Sequence, residues 1–270
     1  DVRDKDRLQL AMRNVDIVFH AAAMKHIDIC EQNPFDAVKT NVIGTSNILE
    51  LSIMENVSKV IFISTDKATN PSSTLGASKL LAERLTLDAS SHTGENKTIF
   101  AIVRFGNVLG SRGSVFQIFQ KQILTNNPLT VTDERMTRFI MSISDASKMI
   151  LKVTNIAKDG EIFILKMPSV KIEELAKGML NVFKKKLPNH RITNKIKILK
   201  SRERERFDEF LITNEEQVYC HDIGQMYKIS KIENKKPVSL NNFNSKTSKK
   251  ISKKELEKII NELMDEYITY

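Results

Sequence analysis

The chain has 270 residues, and its 41% hydrophobic and 28% charged content is typical of one large or two modest globular domains, not of a disordered chain. Cys30 and Cys220 lie far apart, which excludes a disulfide framework and a cysteine metal site and favours a reducing, cytoplasmic compartment. No apolar run approaches the roughly 20 residues of a membrane helix, so no membrane contact is expected.

The net charge of +9 is concentrated in the second part of the chain. Residues 1–150 carry 17 Lys and Arg against 16 Asp and Glu, whereas the remainder carries 25 against 17. A basic part of this kind suits a solvated tail, an anionic small molecule or a nucleic acid. The lysine-rich "SKTSKKISKKELEK" has no interleaved aromatics, and the first half is almost neutral, so we expect no nucleic-acid partner.

Short β-branched and aromatic runs alternate with segments of helical periodicity up to residue 165. Strands are predicted at 15–19, 60–63, 100–103 and 161–165, and helices at 34–56, 75–89 and 144–156. This alternation predicts right-handed βαβ units and a parallel sheet of the α/β class.

The pattern changes after residue 166. "VKIEELAKGMLNVFKKK" predicts a helix and "KIKILK" a short strand, whereas "VSLNNFNSKTSKKIS" is polar and predicts a loop. The amphipathic "KKELEKIINELMDEY" predicts a terminal helix with Ser252 as its N-cap.

Ligands of open parallel sheets bind beyond the carboxyl ends of the strands. Three polar or small-residue clusters follow the predicted strands, at 20–23, 64–67 and 104–107. We therefore expect these clusters to face one cleft.

Several segments, in this order, resemble the extended short-chain dehydrogenase/reductases, and more narrowly their polysaccharide biosynthesis branch. They are "DVRD", "FHAAAMKHIDICEQNP", "TNVIGTSN", "STDKA", "RFGNVLGSRGSV" and "MTRF". The resemblance implies a Rossmann-like doubly wound parallel sheet with a smaller C-terminal substrate-binding part. The family's first strand and Gly-rich phosphate loop are missing before "DVRD", so we expect an N-terminally truncated piece that lacks its first βαβ portion.

The resemblance also implies a domain plan. Residues 1–165 would be the remnant of an NAD(P)-binding domain, of which 108–140 contribute to the substrate site. Residues 166–235 would form the substrate-binding part, and 236–270 a polar loop and a C-terminal helix.

The branch contains UDP-N-acetylglucosamine 4,6-dehydratases and UDP-sugar 4-epimerases, which use NAD or NADP. In its dehydratases the cofactor takes a hydride from C4 of the hexose, a lysine removes the C5 proton, and an acid protonates the departing C6 hydroxyl. By resemblance Lys67 is the base, Asp66 the acid and Lys79 a ribose contact, and we expect Asp66 and Lys67 to share a proton.

The superfamily's usual catalytic tyrosine is replaced by Leu75, four residues before Lys79. Leu75 cannot accept the proton of the C4 hydroxyl. We expect a water held by Thr65 or Asp66 to relay it.

The remaining site residues follow from the resemblance. The cofactor-binding residues, besides Lys79, are Asp1, Ala21, Ala22, Ala23, Lys25, Asn41, Ser64 and Arg104. The substrate-binding residues are Lys25, Asn107, Arg112, Ser114, Arg138, Arg206 and Glu209. No metal site is expected.

Three functions therefore stay open. The first is a 4,6-dehydratase acting on a UDP-linked hexosamine, and the second is a UDP-sugar 4-epimerase with the same fold and cofactor. The third is a non-catalytic sugar-nucleotide-binding protein that has lost the tyrosine. A homo-oligomer is expected for the enzymes.

Overall fold

The computed structural model of the chain describes residues 1–94, 98–193, 195–199, 205–230 and 243–268. The chain forms two units, each assembled from separated segments. The first unit contains Asp1–Phe105, Ser147–Lys166 and Phe210–Leu240, and the second contains Gly106–Ala146, Met167–Glu209 and Asn241–Tyr270.

The strands are short, and each unit contains several of them. In chain order they are β1 (Ile17–His20), β2 (Lys59–Thr65), β3 (Ile99–Phe105), β4 (Asn107–Val108), β5 (Leu129–Val131), β6 (Thr137–Met141), β7 (Glu161–Leu165), β8 (Ser169–Lys171), β9 (Ile196–Ile198), β10 (Cys220–Asp222) and β11 (Met226–Ile229).

The helices lie between these strands. They are α1 (Lys5–Met12), α2 (Ile27–Gln32), α3 (Pro34–Val38), α4 (Gly44–Met54), α5 (Thr74–Ala89), α6 (Val115–Leu124), α7 (Ile143–Ile156), α8 (Ile172–Lys186) and α9 (Lys253–Ile268). A π-helical turn, Lys39–Ile43, joins α3 to α4, and a 3-10 turn, Asp66–Ala68, follows β2. Among the residues that the structure describes, none of the helices combines the length and apolar character needed to span a bilayer.

A six-stranded sheet in the order β1-β2-β3-β7-β11-β10 organises the first unit. The first four strands are parallel. At one edge β11 pairs antiparallel with β7, and β10 pairs antiparallel with β11. Val60, Ile61, Phe100 and Ile102 are fully buried in the central strands, as expected of near-continuous apolar runs in a parallel sheet. The predicted Rossmann-like α/β fold is confirmed.

The second unit has its own core, which packs α6, α8 and α9 with a three-stranded sheet, β4-β6-β8, and the strand pair β5-β9. Phe116, Phe119, Phe183 and Ile260 are almost completely buried in it. Helices α8 and α9 approach closely at Gly178, where an added Cβ would lie 3.2 Å from the Leu256 side chain. This unit therefore buries apolar surface independently of the six-stranded sheet.

The division of the chain differs from the consecutive ranges that the sequence predicts. Residues 106–146 belong to the second unit, and β10 and β11 join the sheet of the first. The antiparallel partners of β7 come from a segment about 60 residues later, and a local apolar pattern does not indicate such long-range pairing. Residues 236–242 of the predicted polar loop lie outside the described residues.

The predicted N-cap of the terminal helix provides a stability test. The Ser252 hydroxyl accepts the Glu255 backbone N–H at 3.2 Å, at the start of α9. We expect Ser252→Ala to lower the free energy of unfolding by about 1 kcal/mol, because this N–H loses its acceptor. Urea unfolding measures the change, and Ser252→Asp, which keeps an acceptor, is the control. Equal loss in both variants would contradict a capping role.

Candidate active site

Asp66 and Lys67 form an ion pair at the point where β2 ends. The Lys67 ammonium lies 2.9 Å from Asp66 Oδ1, and the Thr65 hydroxyl donates to the same oxygen at 3.0 Å. The Asp66 side chain is completely buried, whereas that of Lys67 is 22% exposed. The pair thus has one member inside the fold and one that reaches the surface.

Helix α5 packs closely against this turn and carries Lys79. At Gly76 an added Cβ would lie 2.5 Å from the carbonyl oxygen of Lys67, so this approach requires glycine. One turn later Lys79 donates to the Ile63 carbonyl at 2.7 Å, and its ammonium lies 4.1 Å from the centre of the Phe62 ring. The structure therefore brings Lys79 to the same end of β2 as Asp66 and Lys67.

Burial makes Lys79 easier to deprotonate than an ordinary lysine. The side chain is almost fully buried, and desolvation lowers its pKa to about 8, although the Glu83 carboxylate one turn away acts in the opposite direction. A lysine with this pKa is still mostly charged at pH 7 and is half charged near pH 8.

Leu75, at the position of the missing tyrosine, is a core residue. It is 4% exposed and packs with Cys30 and Ala37. Its side chain supplies no proton acceptor.

His20, the first residue of the 20–23 cluster, is buried, and no individual role is predicted for it from the sequence. Its Nε2 lies 2.9 Å from the Thr45 hydroxyl, which itself donates to the Asn41 carbonyl at 2.7 Å. The hydroxyl can therefore only accept from the ring, and Nε2 carries the proton. Nδ1 is then an acceptor, and it is buried without a hydrogen-bond partner among the described residues. The position of His20 at the end of a predicted strand is the sequence signal that marks it as a candidate site residue.

The predicted cofactor residue Asn41 is bonded to other protein groups. The Asn41 side chain bonds both the amide and the carbonyl of Met24, and also the Ser78 hydroxyl. It thereby links the segment after β1 to α5. Its cofactor contact stays a prediction.

Arg104 is fully buried, and all five of its N–H donors have protein acceptors. The guanidinium binds Glu83 and Glu216 through two contacts each and the Leu211 carbonyl at 2.8 Å. Burial opposes its charge, but the two carboxylates outweigh burial and raise the pKa of Arg104. The observed contacts connect α5 to the segment before β10. The cofactor contact of Arg104 stays a prediction.

The other predicted cofactor residues surround the ends of β1 and β2. Ala21 and Ala22 are exposed, Ala23 is partly exposed, and Lys25 is exposed. Ser64 is buried, and its hydroxyl has no partner among the described residues. Asp1 is exposed and binds Arg3 through both carboxylate oxygens. These positions are compatible with a site for a polar ligand.

The predicted substrate residues other than Lys25 lie in the second unit. Asn107 is in β4, and Arg112 is exposed in the turn before α6. Ser114 is the N-cap residue of α6, and its hydroxyl is buried with no partner among the described residues. Gly110 and Gly113 have φ values of 78° and 72°, which only glycine adopts easily, so the turn depends on them.

Arg138, Arg206 and Glu209 belong to a second group in the same unit. Arg138 and Glu209 are buried, and Arg206 is partly exposed. Within the part of the chain that the structure describes, no group of three or more His, Cys, Asp or Glu side chains is arranged to hold a metal ion.

Comparison with known proteins identifies the family. The family model described as "Polysaccharide biosynthesis protein" matches residues 1–231. The chain belongs to this family. The predicted resemblance to the polysaccharide biosynthesis branch of the extended short-chain dehydrogenase/reductases is therefore confirmed.

Three curated relatives in the polysaccharide biosynthesis family are similar over most of the chain. A Methanocaldococcus jannaschii protein named an uncharacterized membrane protein is 48% identical over 97% of this chain and 79% of its own length. A Rickettsia bellii UDP-glucose 4-epimerase is 40% identical over 85% of this chain and 65% of its own length. A Campylobacter jejuni UDP-N-acetylglucosamine 4,6-dehydratase (inverting) is 41% identical over 85% of this chain and 66% of its own length.

Solved structures agree with the observed fold. The X-ray structure of Pen from Bacillus thuringiensis superimposes with a TM-score of 0.90 at 40% identity, covering 97% of this chain and 80% of that one. DesIV from Streptomyces venezuelae, a dTDP-glucose 4,6-dehydratase, gives a TM-score of 0.72 at 18% identity, covering all of this chain and 80% of DesIV, and supports the fold alone.

The Arg104 network leads to a stability prediction. We expect Arg104→Met to lower the free energy of unfolding by about 3–5 kcal/mol, because Glu83 and Glu216 lose their buried counter-charge. The control is Lys5→Met, which breaks the exposed Lys5–Glu50 pair and should cost less than about 1 kcal/mol. Denaturant unfolding measures both, and similar losses in the two variants would argue against a buried network.

His20 leads to a pH prediction. Desolvation, aided by the charge of Lys79, lowers its pKa from 6.5 to about 3 in the folded protein. The unfolded chain binds the proton more tightly, so the folded state loses stability as the pH falls below about 6.5. Between pH 7 and pH 5 this loss is about 2 kcal/mol.

Urea unfolding at the two pH values measures this loss. We expect His20→Gln to reduce the difference between pH 7 and pH 5, whereas His26→Gln, which removes an exposed histidine, should leave it unchanged. An unchanged difference in His20→Gln would show that His20 is not the titrating group.

Proposed function

We propose that the chain is the catalytic part of an NAD- or NADP-dependent nucleotide-sugar 4,6-dehydratase that acts on UDP-N-acetylglucosamine. The observation that carries this proposal is the 2.9 Å contact between Lys67 and the fully buried Asp66, at the carboxyl end of a parallel strand. The Campylobacter relative, named as a dehydratase of this specificity, supports it. The proposed location is cytoplasmic.

The residues around β1 and β2 suit a nicotinamide cofactor. Ala21 and Ala22 are small and exposed, which permits close approach, and the Ser64 hydroxyl is a buried polar group without a partner among the described residues. The Lys79 ammonium has three N–H donors, and its one hydrogen bond to the Ile63 carbonyl leaves donors for a ribose. A bound nicotinamide would supply reversible hydride acceptance for the sugar.

Lys67 and Asp66 would divide the elimination between them. With a carbonyl at C4 of the sugar, Lys67 in its neutral form removes the C5 proton, and the electron pair forms the C5–C6 double bond. The C6–O bond breaks, and Asp66 in its acid form donates the proton with which the hydroxyl leaves as water. To complete the reaction, Lys67 returns its proton to C5, and C6 takes the hydride that it requires from the reduced nicotinamide. The proton of the C4 hydroxyl, relayed to Asp66, replaces the one that Asp66 has donated.

The proton of the C4 hydroxyl needs a separate route because Leu75 has no polar atom. We propose a water held by Thr65 or Asp66 as the relay. The Thr65 hydroxyl is already oriented at Asp66 Oδ1, at 3.0 Å, so a proton that reaches this pair has a continuous path.

The UDP moiety would bind residues of the second unit, and Lys25 of the first unit stays a proposed substrate contact. Arginine recognises diphosphates because its planar fork forms paired hydrogen bonds. The proposed contacts are Asn107, Arg112, Ser114, Arg206 and Glu209. A homo-oligomer and the absence of a nucleic-acid partner stay predictions.

A UDP-sugar 4-epimerase is the second candidate. Its support is the 40% identity to a Rickettsia relative with the name UDP-glucose 4-epimerase. An epimerase would share the C4 oxidation but would return hydride to the opposite face of C4. A non-catalytic sugar-nucleotide-binding protein, favoured by the buried Leu75, is the third.

Product analysis tests the proposal. The full-length protein is incubated with UDP-N-acetylglucosamine, and the products are followed by NMR. We expect a 4-keto-6-deoxy sugar. UDP-N-acetylgalactosamine would instead establish the epimerase, and binding without turnover would establish the non-catalytic protein.

Two substitutions at Lys67 test the base. We expect both Lys67→Ala and Lys67→Arg to lower kcat about 100-fold or more, because arginine keeps the ion pair but cannot become neutral. Lys39→Ala, at an exposed lysine of the same unit, is the control and should keep normal kcat. Normal dehydration by either Lys67 variant would refute the assignment.

A further inference from the structure

The backbone of residues 205–209, called here the 205–209 segment, is held by groups of β6 and of the segment that precedes α9. Two of the proposed UDP contacts, Arg206 and Glu209, lie in it. All of these groups belong to the second unit.

Arg138 of β6 holds the segment through its main chain. One terminal nitrogen donates to the Phe207 carbonyl at 3.1 Å and to the Thr137 carbonyl at 2.8 Å, and the other donates to the Arg206 carbonyl at 2.9 Å. The guanidinium is therefore engaged with neutral carbonyl oxygens of the protein.

The charge around Arg138 also disfavours direct binding of an anion. Its guanidinium lies 3.6 Å from a Glu205 carboxylate oxygen and 3.7 Å from one of Glu209, and the side chain is buried. Two carboxylates beside one buried cation more than compensate its charge. Arg206, which is partly exposed, is better placed to meet a diphosphate.

Ser245 holds the other end of the segment. Its hydroxyl accepts the Glu209 N–H at 2.8 Å and lies 2.6 Å from the Thr137 hydroxyl, which donates to Asp208 at 2.7 Å. The Ser245 amide donates to the Glu209 carbonyl at 2.9 Å, and the Thr137 amide donates to the Phe207 carbonyl at 2.8 Å. Ser245 is completely buried, so these bonds are shielded from water.

We infer that Arg138 and Ser245 are positioning residues, which fix the 205–209 segment so that Arg206 and Glu209 can bind the UDP moiety. Arg138 then acts through the main chain and does not itself touch the substrate. The inference rests on the proposed function for the identity of the ligand, and on the observed hydrogen bonds for the clamp.

Hydrogen exchange of the free full-length protein tests the clamp without any ligand. We expect Ser245→Ala to accelerate exchange of the amides of residues 205–209 about tenfold, because a buried bond of the Glu209 N–H is lost. The matched control is Ser248→Ala. Ser248 is a buried serine in the same stretch of chain, and its hydroxyl donates to the nearby Asn244 carbonyl at 2.7 Å. Unchanged exchange in Ser245→Ala, or equal acceleration in Ser248→Ala, overturns the clamp.

Titrations with UDP and with uridine then separate positioning from direct contact. We expect Arg138→Lys and Ser245→Ala to raise the Kd for both ligands by a similar factor of about ten, because the whole segment moves. If Arg138→Lys weakens UDP binding but not uridine binding, Arg138 contacts the diphosphate and the inference is wrong. If the unmodified protein binds no UDP, the proposed function fails. The hydrogen-exchange experiment needs no ligand, so it tests the clamp separately from the proposed function.

Discussion

The buried carboxylate of Asp66 is the constraint on which the site depends. An ionised carboxylate without a partner would cost several kcal/mol at such a position, so the fold has to provide hydrogen-bond donors. Thr65 and Lys67 provide them, and both are neighbours in the sequence. The 3-10 turn after β2 places the Lys67 ammonium beside the Asp66 carboxylate. Gly76 allows α5 to pack closely against this turn, and the same helix carries Lys79 to the end of β2.

The same physical requirement recurs at two buried arginines. Arg104 and Arg138 are both nearly inaccessible to solvent, and both use their N–H groups on protein acceptors. In Arg104 the acceptors are mainly carboxylates, which makes the network a strong link between α5 and the 211–216 segment. In Arg138 they are mainly carbonyl oxygens, so this arginine fixes a backbone conformation.

Much of the fold and part of the site follow from local pattern. Apolar β-branched runs locate β2, β3 and β7, and helical spacing locates α5 and α9 together with the Ser252 cap, because these features depend on neighbouring residues. The choice of Asp66, Lys67 and Lys79 rests on the resemblance of their motif to the family, together with the position of the first two after a strand. The distant acceptors could not be predicted, since those of Arg104 lie 21 to 112 residues away and two of the three carbonyls that Arg138 binds lie 68 to 69 residues away. The sequence shows that an arginine is present but not which distant groups reach it.

The way the chain is shared between the two units has a consequence for its evolution and handling. Each unit draws on segments that alternate along the sequence, so the polypeptide leaves one and returns to it repeatedly. No single proteolytic cut, gene fission or truncation can release either unit intact. Insertions are accommodated most readily in the connecting loops, whose surface backbone tolerates changes in length.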